Sequence, residues 1–147
     1  MILGDLLKTK GTKYRVAVTM QPSETVMAAV HKLAKYDRGS IMVCDDDGKL
    51  LGIITERDIV RKCFASGKDL DKTKIQDIMT TRVIVAKPED DLSYAINAMK
   101  GAKIRHIPIV DAQEKAIGMI SMRDLLGVQL EESNTTVRIL NDYIFGR

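Results

Sequence analysis

The chain has 147 residues, 45% hydrophobic and 29% charged, and a formal net charge of +3 from 23 basic and 20 acidic side chains. This composition excludes a disordered chain, no apolar run approaches the ~20 residues that span a bilayer, and residues 1–5 lack the pattern of a signal peptide. Two cysteines exclude a disulfide framework, so we expect a protein of the reducing cytoplasm. An aromatic content of 4% argues against a nucleic-acid surface. Because no apolar run is long enough to span a bilayer, we expect no membrane contact.

The first third of the chain predicts a helix, a strand and a second helix. Residues 2–7 have the pattern of a short helix, residues 8–14 that of a basic loop, and residues 16–18 that of a β-branched strand. The second helix, over residues 24–36, has apolar side chains at i, i+3, i+4 and i+7, and Ser23 is available near its N-cap.

A hairpin and a further helix follow. Strands are predicted over residues 41–44 and 50–55, joined by the acidic turn Asp45-Asp46-Asp47-Gly48. The turn lacks the spacing of a calcium-binding loop. A helix over residues 56–65 completes the order β-α-β-β-α.

The same order occurs again 66 residues further along the chain. A shift of 66 without a gap superposes Pro22 on Pro88, Gly52 on Gly118, and the pair Arg57-Asp58 on Arg123-Asp124. The second copy thus predicts a strand at 83–85, a helix at 90–102 with Asp90 near its N-cap, strands at 107–110 and 116–121, and a helix from 122. The chain is a duplication.

We therefore predict a mixed α+β fold in which two β-α-β-β-α repeats, residues 1–66 and 67–130, form a pseudo-twofold pair packed through their sheets. A single repeat of this size leaves one sheet face uncovered, and pairing the copies buries it. Val137, Leu140 and Ile144 have helical spacing, so we predict a C-terminal helical tail over residues 131–147.

Two strings carry a resemblance to a known family. Gly-Ile-Ile-Thr-Glu-Arg-Asp at 52–58 and Gly-Met-Ile-Ser-Met-Arg-Asp at 118–124 resemble the signature of cystathionine-β-synthase (CBS) domains, and Arg-His-Ile-Pro-Ile-Val-Asp at 105–111 resembles a second family motif. The resemblance covers residues 1–130. It implies a CBS pair with two clefts that bind adenosine compounds (AMP, ADP, ATP, NAD or S-adenosylmethionine), and association into a homodimer.

The residue types in these strings suit a nucleotide. A hydroxyl at a helix start caps the helix or donates to a phosphate, an Asp accepts hydrogen bonds from ribose hydroxyls, and an Arg fork binds phosphate oxygens. Plain helix capping by the hydroxyl–Asp pair, and a solvated helix face for the Arg, remain open alternatives. The positions are occupied by Thr55, Arg57 and Asp58, and again by Ser121, Arg123 and Asp124.

We expect the two clefts to differ. Where the second copy has Arg105-His106, the first has Gly39-Ser40, so we expect the Asp124 cleft to bind phosphorylated adenosine more tightly than the Asp58 cleft. Packing at a strand edge remains the alternative for His106. The adenine ring is expected between Val18 and Ile41 in one cleft and between Ile84 and Ile107 in the other. The resemblance also implies that Ile53 and Met119 contact the ligand of the opposite cleft, and Pro108 completes the candidate site.

The sequence predicts a regulatory binding module. No acid/base set, phosphate-binding glycine loop or metal-ligand cluster indicates an enzyme or a catalytic cofactor. Cys44 is interpreted as a small apolar residue of a strand. We therefore expect an adenosine-nucleotide sensor of the energy-sensing kind that modulates an unidentified partner protein. The alternatives are a ligand-free dimerising adaptor and a nucleic-acid-binding CBS protein.

Overall fold

The helices and strands follow the predicted order. The computed structural model describes residues 2–9 and 17–132, together with residues 138, 142 and 144. Its elements are helix α1 (Leu3–Thr9), strand β1 (Thr19–Met20), helix α2 (Val26–Tyr36), strands β2 (Ser40–Cys44) and β3 (Leu50–Thr55), helix α3 (Glu56–Asp58) continuing as a π-helix (Ile59–Phe64), a 3-10 helix (Ile75–Asp77), helix α4 (Leu92–Ala102), strands β4 (His106–Val110) and β5 (Ala116–Ser121), and helix α5 (Met122–Glu132).

Two parts of the sequence-based prediction fall outside the described residues. These are most of the basic loop, from residue 10 to residue 14, and most of the C-terminal tail, including Val137 and Leu140. Ile144 of the tail is 67% exposed.

Each repeat contains a small sheet with the same irregularity. In the first, β1 runs parallel to β2, and β2 pairs antiparallel with β3. In the second, β4 pairs antiparallel with β5, and Ala86 makes a single parallel bridge to Ile109. The register shifts between Val43 and Cys44 and again between Ile109 and Val110, which are positions 66 residues apart. The duplication therefore extends to local backbone detail.

The first strand of each repeat lies later than predicted. The sequence placed these strands at residues 16–18 and 83–85, whereas pairing begins at Thr19 in the first repeat and at Ala86 in the second. The predicted residues Ala17 and Val83 instead pack against an apolar cluster between the repeats. Ala17 and Val83 are therefore apolar because they pack against this cluster, and neither residue is paired in a β-sheet.

The two long helices begin after their N-caps Thr25 and Asp91, not at residues 24 and 90 as predicted, and Ser23 is not the cap. Thr25 Oγ1 accepts a hydrogen bond from Ala28 N at 3.1 Å, and Asp91 Oδ1 accepts one from Tyr94 N at 2.9 Å. Asp90 holds the preceding turn, since its Oδ2 accepts from Lys87 N at 2.8 Å. The N-cap is the residue whose extended backbone lets its side chain reach the third amide.

The two repeats pack through their sheets, as predicted. Met42, Cys44, Ile53 and Met119 form a buried cluster between the sheet faces. Two backbone hydrogen bonds join the hairpins: Leu50 N donates to Glu114 O at 3.1 Å, and Ala116 N donates to Gly48 O at 3.0 Å. Each of these bonds is the other's counterpart after a shift of 66, so they mark the pseudo-twofold axis.

The repeats also exchange a short segment. Leu3 and Leu6 of α1 belong to the hydrophobic core of the second repeat, where Leu3 N donates to Asp90 O at 2.8 Å. Ile75 and Ile78 belong to the core of the first repeat, where Ile75 N donates to Glu24 O at 2.9 Å. The segment before each repeat therefore completes the core of the other repeat. The division of the chain at residue 66 stays a prediction about where the duplicated sequence divides. It does not describe the two packed cores, because each core includes residues from both halves of the chain.

Candidate functional site

A reciprocal capping motif ends the hairpin of each repeat. Thr55 Oγ1 accepts from Asp58 N at 3.0 Å, while Asp58 Oδ2 accepts from Thr55 N at 3.1 Å. Ser121 and Asp124 repeat both contacts, each at 3.1 Å. The capping role considered for these pairs is therefore present in both repeats. It also fixes the direction of each carboxylate.

Asp58 is a buried carboxylate with several partners. Its exposed fraction is 6%. Thr80 Oγ1 donates to Asp58 Oδ1 at 3.1 Å, and Lys62 Nζ lies 3.0 Å from the same oxygen. Burial of a charge is tolerated when it is paired and hydrogen-bonded in this way. Asp58 is also one of the residues that line a cavity.

The first cavity, which we call the Asp58 cavity, has a volume of about 600 Å³. The end of the first hairpin and the start of α3 contribute Ile53 and residues 55–58. The segment between the 3-10 helix and α4, which we call the linker, contributes Thr80 and residues 82–84. The stretch from the end of α4 to the start of β4 contributes residues 102–106. Gly39 completes the wall.

The second cavity, the Asp124 cavity, has a volume of about 500 Å³. Its lining comes from Met119 and residues 121–124 of the second repeat and from residues 37–40 of the first. Arg105 and His106 also line it.

The two cavities are related by the duplication, and the repeats contribute to them crosswise. Residues 37–40 and 103–106 are 66 apart, and each segment faces the capping motif of the opposite repeat. Gly39, Arg105 and His106 line both cavities and form a shared wall. The counterparts of Thr80 and Arg82 are residues 14 and 16, which lie outside the described part of the chain.

Most of the candidate site residues line one cavity or both. In the Asp58 cavity these are Gly39, Ile53, Thr55, Arg57, Asp58, Ile84, Arg105 and His106. In the Asp124 cavity they are Gly39, Ser40, Arg105, His106, Met119, Ser121, Arg123 and Asp124.

Four candidates line neither of these two cavities, so neither apolar pair predicted to hold adenine lines one of them as a pair. Val18 and Ile41 lie in the core of the first repeat and Ile107 in that of the second, each at most 6% exposed. Side chains alternate along a strand, so Ser40 faces a cavity while Ile41 points to the core. Pro108 is buried within β4, where its carbonyl accepts from Ala86 N at 3.0 Å.

The predicted assignment of residues to clefts also needs correction. Arg105 and His106 line the Asp124 cavity as expected, but they line the Asp58 cavity as well. These two residues therefore do not by themselves distinguish the cavities, and tighter binding at Asp124 stays a prediction. The sequence analysis also missed several lining residues, namely Asp37, Arg38, Glu56, Thr80, Arg82, Val83, Ala102, Lys103, Ile104 and Met122. Their only sequence signal was proximity to the motifs.

Among the described residues that line the cavities, basic side chains outnumber acidic ones in both. The Asp58 cavity has Arg57, Arg82, Lys103 and Arg105 against Glu56 and Asp58. The Asp124 cavity has Arg38, Arg105 and Arg123 against Asp37 and Asp124. Both surroundings suit an anionic ligand.

His106 on the shared wall has a lowered pKa. Burial is the main cause, and the cations Arg105 and Arg38 act in the same direction, whereas the carboxylates of Asp124 and Glu56 oppose it. The imidazole is therefore neutral near pH 7, where it can donate one hydrogen bond and accept another.

Cys44 is a packing residue, as interpreted from the sequence. Burial, reinforced by the nearby Asp45 carboxylate, raises its pKa to about 11. The side chain therefore stays a thiol near neutral pH and lacks the thiolate character of a nucleophile.

The described residues contain no cluster of three or more His, Cys, Asp or Glu side chains able to hold a metal ion. Within the same part of the chain, no helix has the length and apolar character needed to cross a bilayer.

Comparison with known proteins assigns the family. The family model for the CBS domain matches residues 14–65 and 75–131, so the chain belongs to the CBS domain family and carries two copies of the domain.

Curated relatives include an uncharacterized protein and a CBS domain-containing protein. The chain is 35% identical over 115 residues to an uncharacterized protein of Methanopyrus kandleri, a match covering 78% of this chain and 59% of that protein. It is 32% identical over 149 residues to the mitochondrial CBS domain-containing protein CBSX3 of Arabidopsis thaliana, covering 98% of this chain and 72% of the relative. The chain thus spans less than two thirds of the length of the Methanopyrus relative.

Solved structures of CBS pairs share the fold. A putative signal-transduction protein with CBS domains from Burkholderia ambifaria superposes with a TM-score of 0.82 at 29% identity, covering 89% of this chain and 95% of that one. A CBS domain protein of Pyrobaculum aerophilum complexed with AMP has a TM-score of 0.74 at 26% identity, covering 84% and 89%. The MJ0100 CBS domain pair, in complex with 5'-methylthioadenosine and S-adenosylmethionine, has a TM-score of 0.74 at 26% identity, covering 87% and 98%.

Proposed function

We propose that this chain is a regulatory module that binds a phosphorylated adenosine compound between its two repeats and modulates a partner protein. One observation carries the proposal: each cavity joins the capping motif of one repeat to residues 37–40 or 103–106 of the other. A ligand in either cavity contacts both repeats and can stabilise one arrangement of them over another.

The chemistry of the cavities supports an adenosine phosphate. The carboxylates of Asp58 and Asp124 accept hydrogen bonds, as ribose hydroxyls require, and the guanidinium groups of Arg57 and Arg123 suit phosphate oxygens. Cavities of about 500 and 600 Å³ lie within the range of roughly 300–1,000 Å³ that small-molecule sites occupy. Ile53, Val83 and Ile84 supply apolar surface for a base.

The complexes of related folds support the same ligand class. The Pyrobaculum protein was crystallised with AMP, and the MJ0100 pair with two adenosine derivatives. A thermal-shift screen with AMP, ADP, ATP, NAD and S-adenosylmethionine tests the class directly. A ligand at about 100-fold excess over its dissociation constant adds about 2.7 kcal/mol to the free energy of unfolding, which raises Tm by roughly 5–10 °C for a chain of this length.

Calorimetry on matched variants tests the site. We expect Arg57→Gln and Arg123→Gln each to weaken binding at one cavity, while Arg61→Gln leaves it unchanged, because Arg61 is exposed and lines neither cavity. A melting temperature unmoved by every adenosine compound would overturn the proposal and favour a ligand-free dimerising adaptor.

A homodimer in the cytoplasm is part of this proposal. Phe64 and Val60 on the π-helix are 72% and 59% exposed, and Leu126 on α5 is 44% exposed. Exposed apolar groups of this size suit an interface. Sedimentation of the natural chain and of Phe64→Glu tests it: we expect a dimer that the substitution weakens, and a concentration-independent monomer would contradict it.

A further inference from the structure

We infer that the two cavities select ligands of different charge: the Asp58 cavity takes adenosine polyphosphates, and the Asp124 cavity takes adenosine compounds with one phosphate or none. This inference deepens the proposed function and rests on it. It reverses the preference expected from the sequence.

The charge has opposite signs at one geometrically equivalent pair of positions. Lys103 ends α4 and Asp37 ends α2, both in the left-handed conformation, with φ angles of 57° and 50°. The N–H of each bonds to carbonyls three and four residues earlier. Lys103 lines the Asp58 cavity and Asp37 lines the Asp124 cavity. The duplication thus places a cation in one cavity where the other has an anion.

The linker adds a second difference. Arg82 lines the Asp58 cavity, and the residue 66 positions earlier in the sequence is Val16, which carries no charge. Arg105 lies on the shared wall and lines both cavities, so it does not discriminate between them. Among the described lining residues, Arg82 and Lys103 are therefore the additional cations of the Asp58 cavity, and Arg38, whose counterpart there is Ile104, is the additional cation of the Asp124 cavity.

Acidic groups do not cancel this difference. Glu56 lines the Asp58 cavity where the other has Met122, and the described lining side chains still carry a formal net charge of +2 in the Asp58 cavity (four basic, two acidic) against +1 in the Asp124 cavity (three basic, two acidic). Asp58 is compensated by Lys62 Nζ at 3.0 Å and by the Thr80 hydroxyl. Each phosphate beyond the first adds negative charge, so affinity for polyphosphates depends on cations such as these.

Amide chemical shifts of the full-length, ¹⁵N-labelled chain locate each ligand. We expect ATP to perturb residues 55–58 and 102–104, which line only the Asp58 cavity, at lower concentration than residues 37, 38 and 121–124, which line only the Asp124 cavity. AMP should not perturb the residues of the Asp58 cavity at a lower concentration than those of the Asp124 cavity. ATP that first perturbs residues 121–124 would overturn the inference.

Reciprocal substitutions test the cause. Lys103→Asp places in the Asp58 cavity the residue that the other cavity has at the equivalent, left-handed position, so the backbone tolerates it. We expect it to weaken ATP at the Asp58 cavity about tenfold, with a smaller effect on AMP, since charge reversal near a phosphate acts through partly screened Coulomb interactions. Asp37→Lys should strengthen ATP at the Asp124 cavity. Lys100→Asp changes the net charge equally but lines neither cavity, and it should leave the ATP/AMP ratio unchanged.

The two proposals fail in different ways. If AMP and ATP bind with the same affinity ratio in the natural chain and in Lys103→Asp, the charge selection is wrong while the adenosine-binding function stands. If neither ligand perturbs either cavity, the proposed function is itself wrong, and the inference falls with it.

Discussion

His106 shows how one residue can couple the folding of this chain to pH. Burial lowers its pKa below the ordinary value of about 6.5, although Asp124 and Glu56 act in the opposite direction. The unfolded chain therefore binds a proton on this imidazole at a pH where the folded chain does not. The stability contributed by the neutral form is complete above about pH 6.5, and it is lost as the pH falls below that value.

We predict that the free energy of unfolding decreases from pH 7.5 to pH 5.5 and that His106→Gln reduces this decrease. Urea unfolding at both pH values measures it. His31→Gln is the matched control because His31 is the other histidine and is exposed, so its substitution should leave the pH dependence in place. Equal slopes for the natural chain and His106→Gln would show that His106 does not carry the effect.

Gly52 is required where the linker approaches β3. A Cβ at this position would lie 2.6 Å from the Thr80 carbonyl oxygen, closer than atoms tolerate. The approach is fixed by two hydrogen bonds of 2.9 Å between Ile53 and Thr80. The same Thr80 contacts Asp58, so this close contact also positions a cavity residue.

We predict that Gly52→Ala destabilises the chain by about 1–3 kcal/mol, the usual cost of overpacking a close contact. Gly101→Ala on α4 is the control, because a Cβ there meets nothing within 4 Å. It should be neutral or stabilise by up to about 1 kcal/mol through helix propensity. Thermal unfolding of the pair measures the difference, and a harmless Gly52→Ala would contradict the close approach.

Among the elements, the hairpin strands were predicted best. Their apolar runs lie between turn residues, and pairing within one hairpin is local, so β2 and β4 begin one residue earlier than predicted while β3 and β5 have the predicted bounds. The starts of α2 and α4 were less accurate because three polar residues precede each helix. Only the backbone angles decide which of them caps it.

The observed caps give a test at this scale. Thr25→Ala removes the hydrogen bond to Ala28 N and should lower the free energy of unfolding by about 1 kcal/mol, whereas Ser23→Ala should change it little. Chemical denaturation of the two variants compares them. A larger loss for Ser23→Ala would restore the cap predicted from sequence.

At the scale of the whole molecule, the duplication predicted the pairing of the repeats but not their crosswise cavities. A shift of 66 aligns residues 37–40 with 103–106, yet it carries no information about which capping motif each segment faces. That relation depends on packing between distant parts of the chain, and so does the exchange of α1 for the segment around Ile75. Arg105 was therefore placed in one cleft although it lines both cavities.

The exchange predicts cooperative unfolding. Leu6→Ala in the core of the second repeat and Ile78→Ala in that of the first should each cost about 2–5 kcal/mol, since both side chains are at most 2% exposed. We expect one calorimetric transition in each variant, shifted as a whole. Gln76→Ala, an exposed neighbour of Ile78, should unfold like the natural chain. Two transitions, with only one displaced, would show that the repeats unfold independently.

The exchange of segments between the two repeats also bears on how the duplicated chain could arise. A protein made of one ancestral repeat would have one such segment, but it would need the segment of a second molecule to complete its own hydrophobic core. Two such molecules could satisfy each other by a mutual swap, and fusing their genes would make the swap intramolecular. On this view the present chain is the covalently tethered form of an older intertwined pair.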